Sequence, residues 1–121
     1  MDERIKIALE ADSVVDITTI GRKSGQPHRV EVNLRHVEGQ IYLSNRPKNL
    51  RDWVANIKIN PEFIYHFTQS VQLDFRARAT PIHDPELRRQ LFSVILEREG
   101  LMEELEDRIT YSNLFKVDLL A

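Results

Sequence analysis

A β-branched run that enters a glycine-bracketed loop and leaves it as a second β pattern constrains this chain more than any other feature. Residues 14–20 favour a strand, and the stretch from Ile17 to Pro27 reads I-T-T-I-G-R-K-S-G-Q-P. In residues 29–37, Val30, Val32 and Leu34 alternate with Glu31, Asn33 and Arg35, a period of two that turns one face to a core and the other to solvent or ligand. Glu38-Gly39 is a turn dipeptide, and residues 41–44 return as a third strand, so residues 14–44 read as an antiparallel meander.

The remaining chain adds helices and further strands. Residues 1–12 carry Ile5, Ala8 and Leu9 at helical spacing. Asn49 is a candidate cap for a helix over residues 50–59, with Asp52 in its first turn and Trp53, Val54 and Ile57 on one face; Asn60-Pro61 stops it. Strands are expected over residues 63–67, with Phe63, Tyr65 and Phe67 on one side, and over residues 73–79, with Leu73, Phe75 and Ala77 opposite Asp74, Arg76 and Arg78. Asp84-Pro85 is a cap followed by a first-turn proline, and Leu87, Leu91, Val94 and Ile95 form the stripe of a helix that stops at Gly100. A short acidic helix over residues 101–109 and a strand over residues 114–120 complete the pattern. Consecutive antiparallel strands interrupted by helices argue for a closed or half-open barrel rather than a doubly wound parallel sheet.

Composition narrows the chemistry. A chain of 121 residues fits one domain, residues 1–121, with a real core. It has no cysteine, which excludes disulfides, thiolate catalysis and Cys-ligated metals. No stretch approaches the apolar length of a membrane span and no signal peptide is apparent, so the expected location is cytoplasmic. A formal charge of −2 gives no global attraction to nucleic acid. His28, His36, His66 and His83 lack metal-ligand spacing, so no metal site is expected, and no Ser/His/Asp signature marks a nucleophile.

Residues 21–25 carry the clearest functional signal. Gly21 and Gly25 permit positive φ, which lets successive N–H groups converge, while Arg22, Lys23 and Ser24 supply charge and a hydroxyl. Two readings stand: a phosphate grip, or a hairpin turn whose charges keep an edge soluble. His28 and Arg29 follow directly, and Arg46, Lys48 and Arg51 fall after the third strand, so both groups can share one end of a barrel as an electropositive mouth. The loop lacks the Walker A spacing. Trp53, the single tryptophan, shares a helical face with Asn56; it is either a core anchor or a wall for a planar ring.

Together, T-T-I-G-R-K-S-G-Q-P-H-R-V-E-V, then Y-L-S-N, then D-W-V-A-N-I-K-I-N-P, then F-R-A-R-A resemble the deazaflavin (F420)-dependent nitroreductase family of split β-barrel flavin-binding proteins. The resemblance implies an α+β, mostly β fold: a single split β-barrel of about six antiparallel strands with two or three helices, of the FMN-binding split-barrel type. It implies coenzyme F420, or alternatively FMN, as cofactor. It also implies hydride transfer to a small-molecule electron acceptor such as a quinone, nitroaromatic or activated enone, by a monomer or homodimer. Carried over, Arg22, Lys23 and Ser24 hold the cofactor phosphate or its acidic tail, and His28, Arg29 and Val30 continue that wall. Ser44 and Asn45 match the strand end under the ring, and Asp52, Trp53 and Asn56 the helix that closes over it. This chain departs from the pattern in Asn45-Arg46-Pro47-Lys48, where a glycine- and lysine-bearing loop is common, and in His28, where arginine often stands. No catalytic residue is identified; Tyr65, Tyr111, Ser44 and solvent are equal candidates for a proton donor. A non-catalytic F420- or FMN-binding barrel is the alternative, and a barrel that binds nucleic acid through its basic rim is a third reading disfavoured by the net charge.

Overall fold

Two strands joined by the glycine-bracketed loop begin the sheet. In the computed structural model, which describes residues 2–47 and 51–120, β1 (Val14–Ile20) pairs antiparallel with β2 (Pro27–Asn33). The expected strand over residues 29–37 is broken: β2 ends at Asn33, and β3 (Arg35–Val37) starts one residue later. The two halves face different partners, β2 lying on β1 and β3 on β4 (Gln40–Ser44). Residues 14–44 are therefore a meander bent around a corner rather than a flat one. Glu38 and Gly39 both have positive φ, 51° and 82°, the conformation of the tight two-residue hairpin that links β3 to β4.

The seven strands run in the order β2-β1-β5-β6-β7-β4-β3, all adjacent pairs antiparallel, with β5 (Glu62–Phe67), β6 (Leu73–Pro81) and β7 (Leu114–Leu119) in the middle. The strands at the two ends of that order are neighbours in the chain through Leu34 alone, so the sheet curls into a barrel with a split beside β2. The expected count of about six strands is recovered if the bent strand is counted once. Four α-helices and one short 3-10 turn replace the expected two or three helices: α1 (Glu3–Ala11), α2 (Asp52–Ile59), α3 (Pro85–Glu99) and α4 (Leu105–Tyr111), the 3-10 turn being Met102–Glu104. The proposed Asn49 cap lies outside the described residues; α2 starts after Arg51, which makes no side-chain cap.

Two apolar layers hold the fold. Inside the barrel, Val15, Ile17, Leu43, Tyr65, Phe67 and Phe115 meet Leu9 of α1 and Trp53 and Ile57 of α2. Outside it, Tyr42 and Leu114 meet Leu91, Phe92 and Leu96 of α3. The α3 stripe is therefore rotated from the expected one: Leu87 is 39% exposed, while Phe92 and Leu96 are wholly buried. Arg88 joins the buried face because its guanidinium donates to four backbone carbonyls, of Ile82, Arg108, Ile109 and Ser112.

Tyr65 offers a direct check on this core. Its ring is fully buried and its hydroxyl has no hydrogen-bond partner among the described residues, so burial, with a smaller push from Asp12, raises its pKa well above the ordinary tyrosine value. The folded state thus holds this proton more tightly than the unfolded chain. Stability is unaffected by the group below pH ~10 and falls as pH rises beyond it. Tyr65→Phe is expected to gain about 1 kcal/mol, because it removes an unsatisfied buried hydroxyl, and to flatten alkaline unfolding measured in urea. A loss of stability in the variant would show that the hydroxyl has a partner.

Candidate functional site

The geometry of β2 creates the site. Gly21 N donates to Gln26 O at 2.8 Å and Leu34 N to Ser13 O at 2.9 Å, and these bonds fix the parity of the ladder between them. His28, Val30 and Val32 direct their backbone bonds at β1, whereas Pro27, Arg29, Glu31 and Asn33 direct theirs at the open edge, where proline is tolerated. The side chains of Val30 and Val32 lie opposite the fully buried Ile17 and Val15, on the core-facing side of the sheet. Yet Val30 is 38% exposed. An apolar side chain on the inner face with nothing over it is the floor of a groove.

Two connected clefts make that groove. The first, about 350 Å³, is lined by Arg22, Lys23, Ser24, His28, Arg29, Val30, Asp52, Trp53 and Asn56, with Thr19 and Gly21. Ser44 and Asn45 line the second, about 490 Å³, which shares Val30, Asp52 and Trp53 with the first. All eleven residues singled out in the sequence thus border one continuous groove. Arg46 and Arg51 line its second half, so the two basic groups do meet at one mouth.

The loop between β1 and β2 is held from below. Asn56, 2% exposed, accepts from Arg22 N at 3.1 Å and from the Arg22 guanidinium at 3.0 Å, and donates to Thr19 Oγ1 at 3.1 Å. Its amide is engaged with the loop, which makes it a positioning residue for Arg22. Arg22 also lies 3.6 Å from Asp52 across the cleft. Gly25, at φ 71°, closes the loop with its N–H on Gly21 O. A Cβ on Gly21 would stand 2.6 Å from Ser24 Oγ and 3.0 Å from His28 Nε2, so only glycine lets these two side chains sit against the loop. The backbone cradle is smaller than expected: the N–H groups of Arg22, Gly25 and Gln26 donate within the protein, the last to Ser24 Oγ. That leaves the Lys23 and Ser24 amides, the Lys23 ammonium and the Ser24 hydroxyl proton to meet an anion.

Other expected players fall differently. Arg29 Nε is 2.8 Å from Asp16 Oδ2 on the outer face of the sheet. Of the three side chains considered as proton donors, Tyr65 is sealed in the core and Tyr111 borders a different cleft; only Ser44 lines the groove, its Oγ 3.4 Å from Asn45 O. Asn45 is fixed by the N–H of Asn113 at 2.9 Å, a contact across 68 residues that no local pattern announces.

The family model for the F420H(2)-dependent quinone reductases matches residues 3–99. The chain belongs to that family. No protein of curated function matches the sequence. Among solved structures, the chain is similar to a conserved hypothetical protein from Mycobacterium tuberculosis (18% identity, 100% of this chain and 82% of that one, TM-score 0.75). It is also similar to HutZ, the heme storage protein from Vibrio cholerae (17%, 99% and 90%, TM-score 0.74), and to an FAD-binding protein from Mesorhizobium loti (17%, 100% and 91%, TM-score 0.69). At these identities the likeness establishes the split-barrel fold, as the resemblance in the sequence implied. No helix among the described residues is long and apolar enough to cross a membrane.

Another cleft, about 590 Å³, lies elsewhere, among His83, Arg88, Tyr111 and Ser112, and contains none of the eleven residues. On the sheet, His66 Nε2 is 2.7 Å from Thr18 Oγ1 and its Nδ1 is 2.7 Å from Asp74 Oδ1. This relay resembles a nucleophile–base pair, but none of its members borders the groove or the cleft beside Arg88, and it ties β1, β5 and β6 together.

Proposed function

We propose that the chain is a reductase that binds reduced coenzyme F420 in the groove and passes a hydride to a small electron-poor acceptor, a quinone, nitroaromatic or activated enone. The observation that carries this reading is the uncovered inner-face Val30, facing the same groove as Trp53 and continuous with a cationic loop at one end. Such a groove suits a planar ring with an anionic tail. The loop fits that ligand, since Gly21 leaves room for Ser24 and His28 where any side chain would intrude. When bound, the deazaflavin supplies the hydride chemistry.

The protein's own residues orient and exclude water. Lys23 and Ser24 would hold the phosphate or acidic tail, with Arg22 braced by Asn56 and Asp52 at their side. Val30 and Trp53 would flank the ring and keep water from its faces, and the open edge of β2 offers the N–H groups of Arg29, Glu31 and Asn33 to polar ring atoms. Ser44, which lines the groove, would be the side chain among the candidate donors to give or relay a proton. FMN remains the alternative cofactor. Mixing the protein with reduced F420 and menadione should consume reduced coenzyme faster than the blank; a rate equal to the blank would sink the reading. The second reading, a barrel that holds F420, FMN or another planar ligand without turnover, is favoured by the likeness to a heme storage protein. Tight binding without turnover selects it.

Lys23→Ala tests the loop. Loss of one charge-assisted contact should weaken F420 binding by about 1–3 kcal/mol, a rise in Kd of roughly 5- to 150-fold by fluorescence titration. An unchanged Kd reduces Lys23 to a surface charge.

A further inference from the structure

The second half of the groove is lined by two members of an unbalanced cluster of arginines, one of them buried, one largely buried and one exposed. Arg108 is 1% exposed, and its Nε pairs with Glu104 Oε1 at 3.3 Å, but neither Nη1 nor Nη2 has a partner among the described residues. Arg35, with its side chain 11% exposed, donates to Ser44 O at 3.3 Å and to Glu99 Oε1 at 3.0 Å, and its Nε is likewise unpartnered. Arg46, 60% exposed, lies 3.9 Å from the other oxygen of Glu104. Three guanidinium groups thus share two carboxylates. Buried charges in stable proteins are paired and hydrogen-bonded, so three unpartnered nitrogens leave the cluster with uncompensated positive charge; those atoms are themselves sealed from solvent, and the charge reaches the groove through Arg35 and Arg46, which line it.

The nearby acids do not balance it. Glu31 and Asp52 also border this cleft, but Asp52 is drawn to Arg22 and Glu31 follows the outward parity of β2, while Arg51 adds a further positive charge to the rim, so three arginines there stand against two carboxylates. Arg35 and Arg46 both line the cleft that shares Val30 and Trp53 with the loop end. An anion seated there would stand beyond the ring floor, away from the loop that is suited to the coenzyme's phosphate.

We propose that Arg35 and Arg46, backed by Arg108, recognise a carboxylate on the electron acceptor, so that the preferred acceptors are acidic aromatic or quinoid compounds. This assignment rests on the reductase reading, and its test is a binding measurement that needs no turnover. The protein's single tryptophan, Trp53, lies in the shared wall and reports on occupancy. Titrated with 2-naphthoate and with the neutral 2-naphthamide, the protein should bind the acid about tenfold more tightly. That preference should collapse in Arg46→Gln, an exposed substitution that spares the core, and should shrink as salt rises from 50 to 500 mM, to the extent that exposed Arg46 carries it. Equal affinity for the two probes, binding of neither, or a preference unchanged in Arg46→Gln overturns the proposal.

Two further arms separate its failure from that of the reductase reading. If menadione consumes reduced coenzyme but naphthoate is not preferred, the carboxylate site falls and the reductase stands. Naphthoate preference without any turnover removes the reductase and leaves an acid-binding groove. If Arg46→Gln weakens F420 alone, the cluster serves the coenzyme's acidic tail and the acceptor assignment is wrong.

Discussion

Trp53→Ala is expected to lose about 3–5 kcal/mol of stability, read as a lower urea midpoint with an unchanged slope. The side chain is 6% exposed and its ring meets the edge of Phe115, 6.3 Å away, so its removal opens a cavity between α2 and β7. A domain of this size has about 5–15 kcal/mol in total, so the variant sits near the margin. Binding would suffer separately, because the same side chain walls both halves of the groove. Trp53→Phe distinguishes the two roles: it retains an aromatic contact with Phe115 and shortens the wall. A variant that keeps most of the stability yet binds F420 several-fold more weakly assigns the indole to the ligand; equal losses in both assign it to the core alone.

Arg88→Ala carries the second large effect. Four carbonyls from three segments converge on one guanidinium, at 2.9 Å from Ile82, 3.0 Å from Ile109, 3.2 Å from Arg108 and 2.5 Å from Ser112. The group also lies 5.5 Å over the Phe92 ring. Removal strands those acceptors at the end of α4, and about 3–5 kcal/mol of destabilisation is expected. The midpoint of thermal unfolding should drop by roughly 10–20 °C. Arg88→Lys should restore only part of it, because an ammonium has three donors and no planar fork. Coenzyme affinity per folded molecule should be unaffected, since Arg88 borders the other cleft; a selective binding loss would mean that α4 is coupled to the groove.

The strands and caps were legible because they depend on neighbours in the chain. Val14–Ile20 and the Asp84-Pro85 start of α3 stand where β-branching and capping chemistry put them. The corner at Leu34 was not legible: Val30, Val32 and Leu34 keep an unbroken period of two, and only the distant partners β1 and β4 reveal that the strand turns. Nothing in the sequence singled out Arg88 for the same reason, because its acceptors lie 6 to 24 residues away. For the groove, the types of residue were legible but not their division of labour. Asn56 was assigned by resemblance to the helix that closes over the ring, and it braces Arg22. Asn45 is positioned by Asn113, and the unpaired nitrogens of Arg108 have no sequence signature at all.

The single-residue join at Leu34 also orders events in time. The β1–β2 hairpin closes over a short loop and can form as soon as residue 34 is made, whereas β4 acquires its second neighbour only when β7 pairs across about 75 residues. Loop-end recognition is therefore built from early, local contacts. The Ser44–Asn45 end waits for the strand pairing of longest sequence separation, the one that brings Asn113 into reach. During synthesis on the ribosome the anion loop would precede the finished groove, and a nascent chain lacking β7 would expose the unsatisfied edges of β4 and β6, the surfaces most open to misassembly.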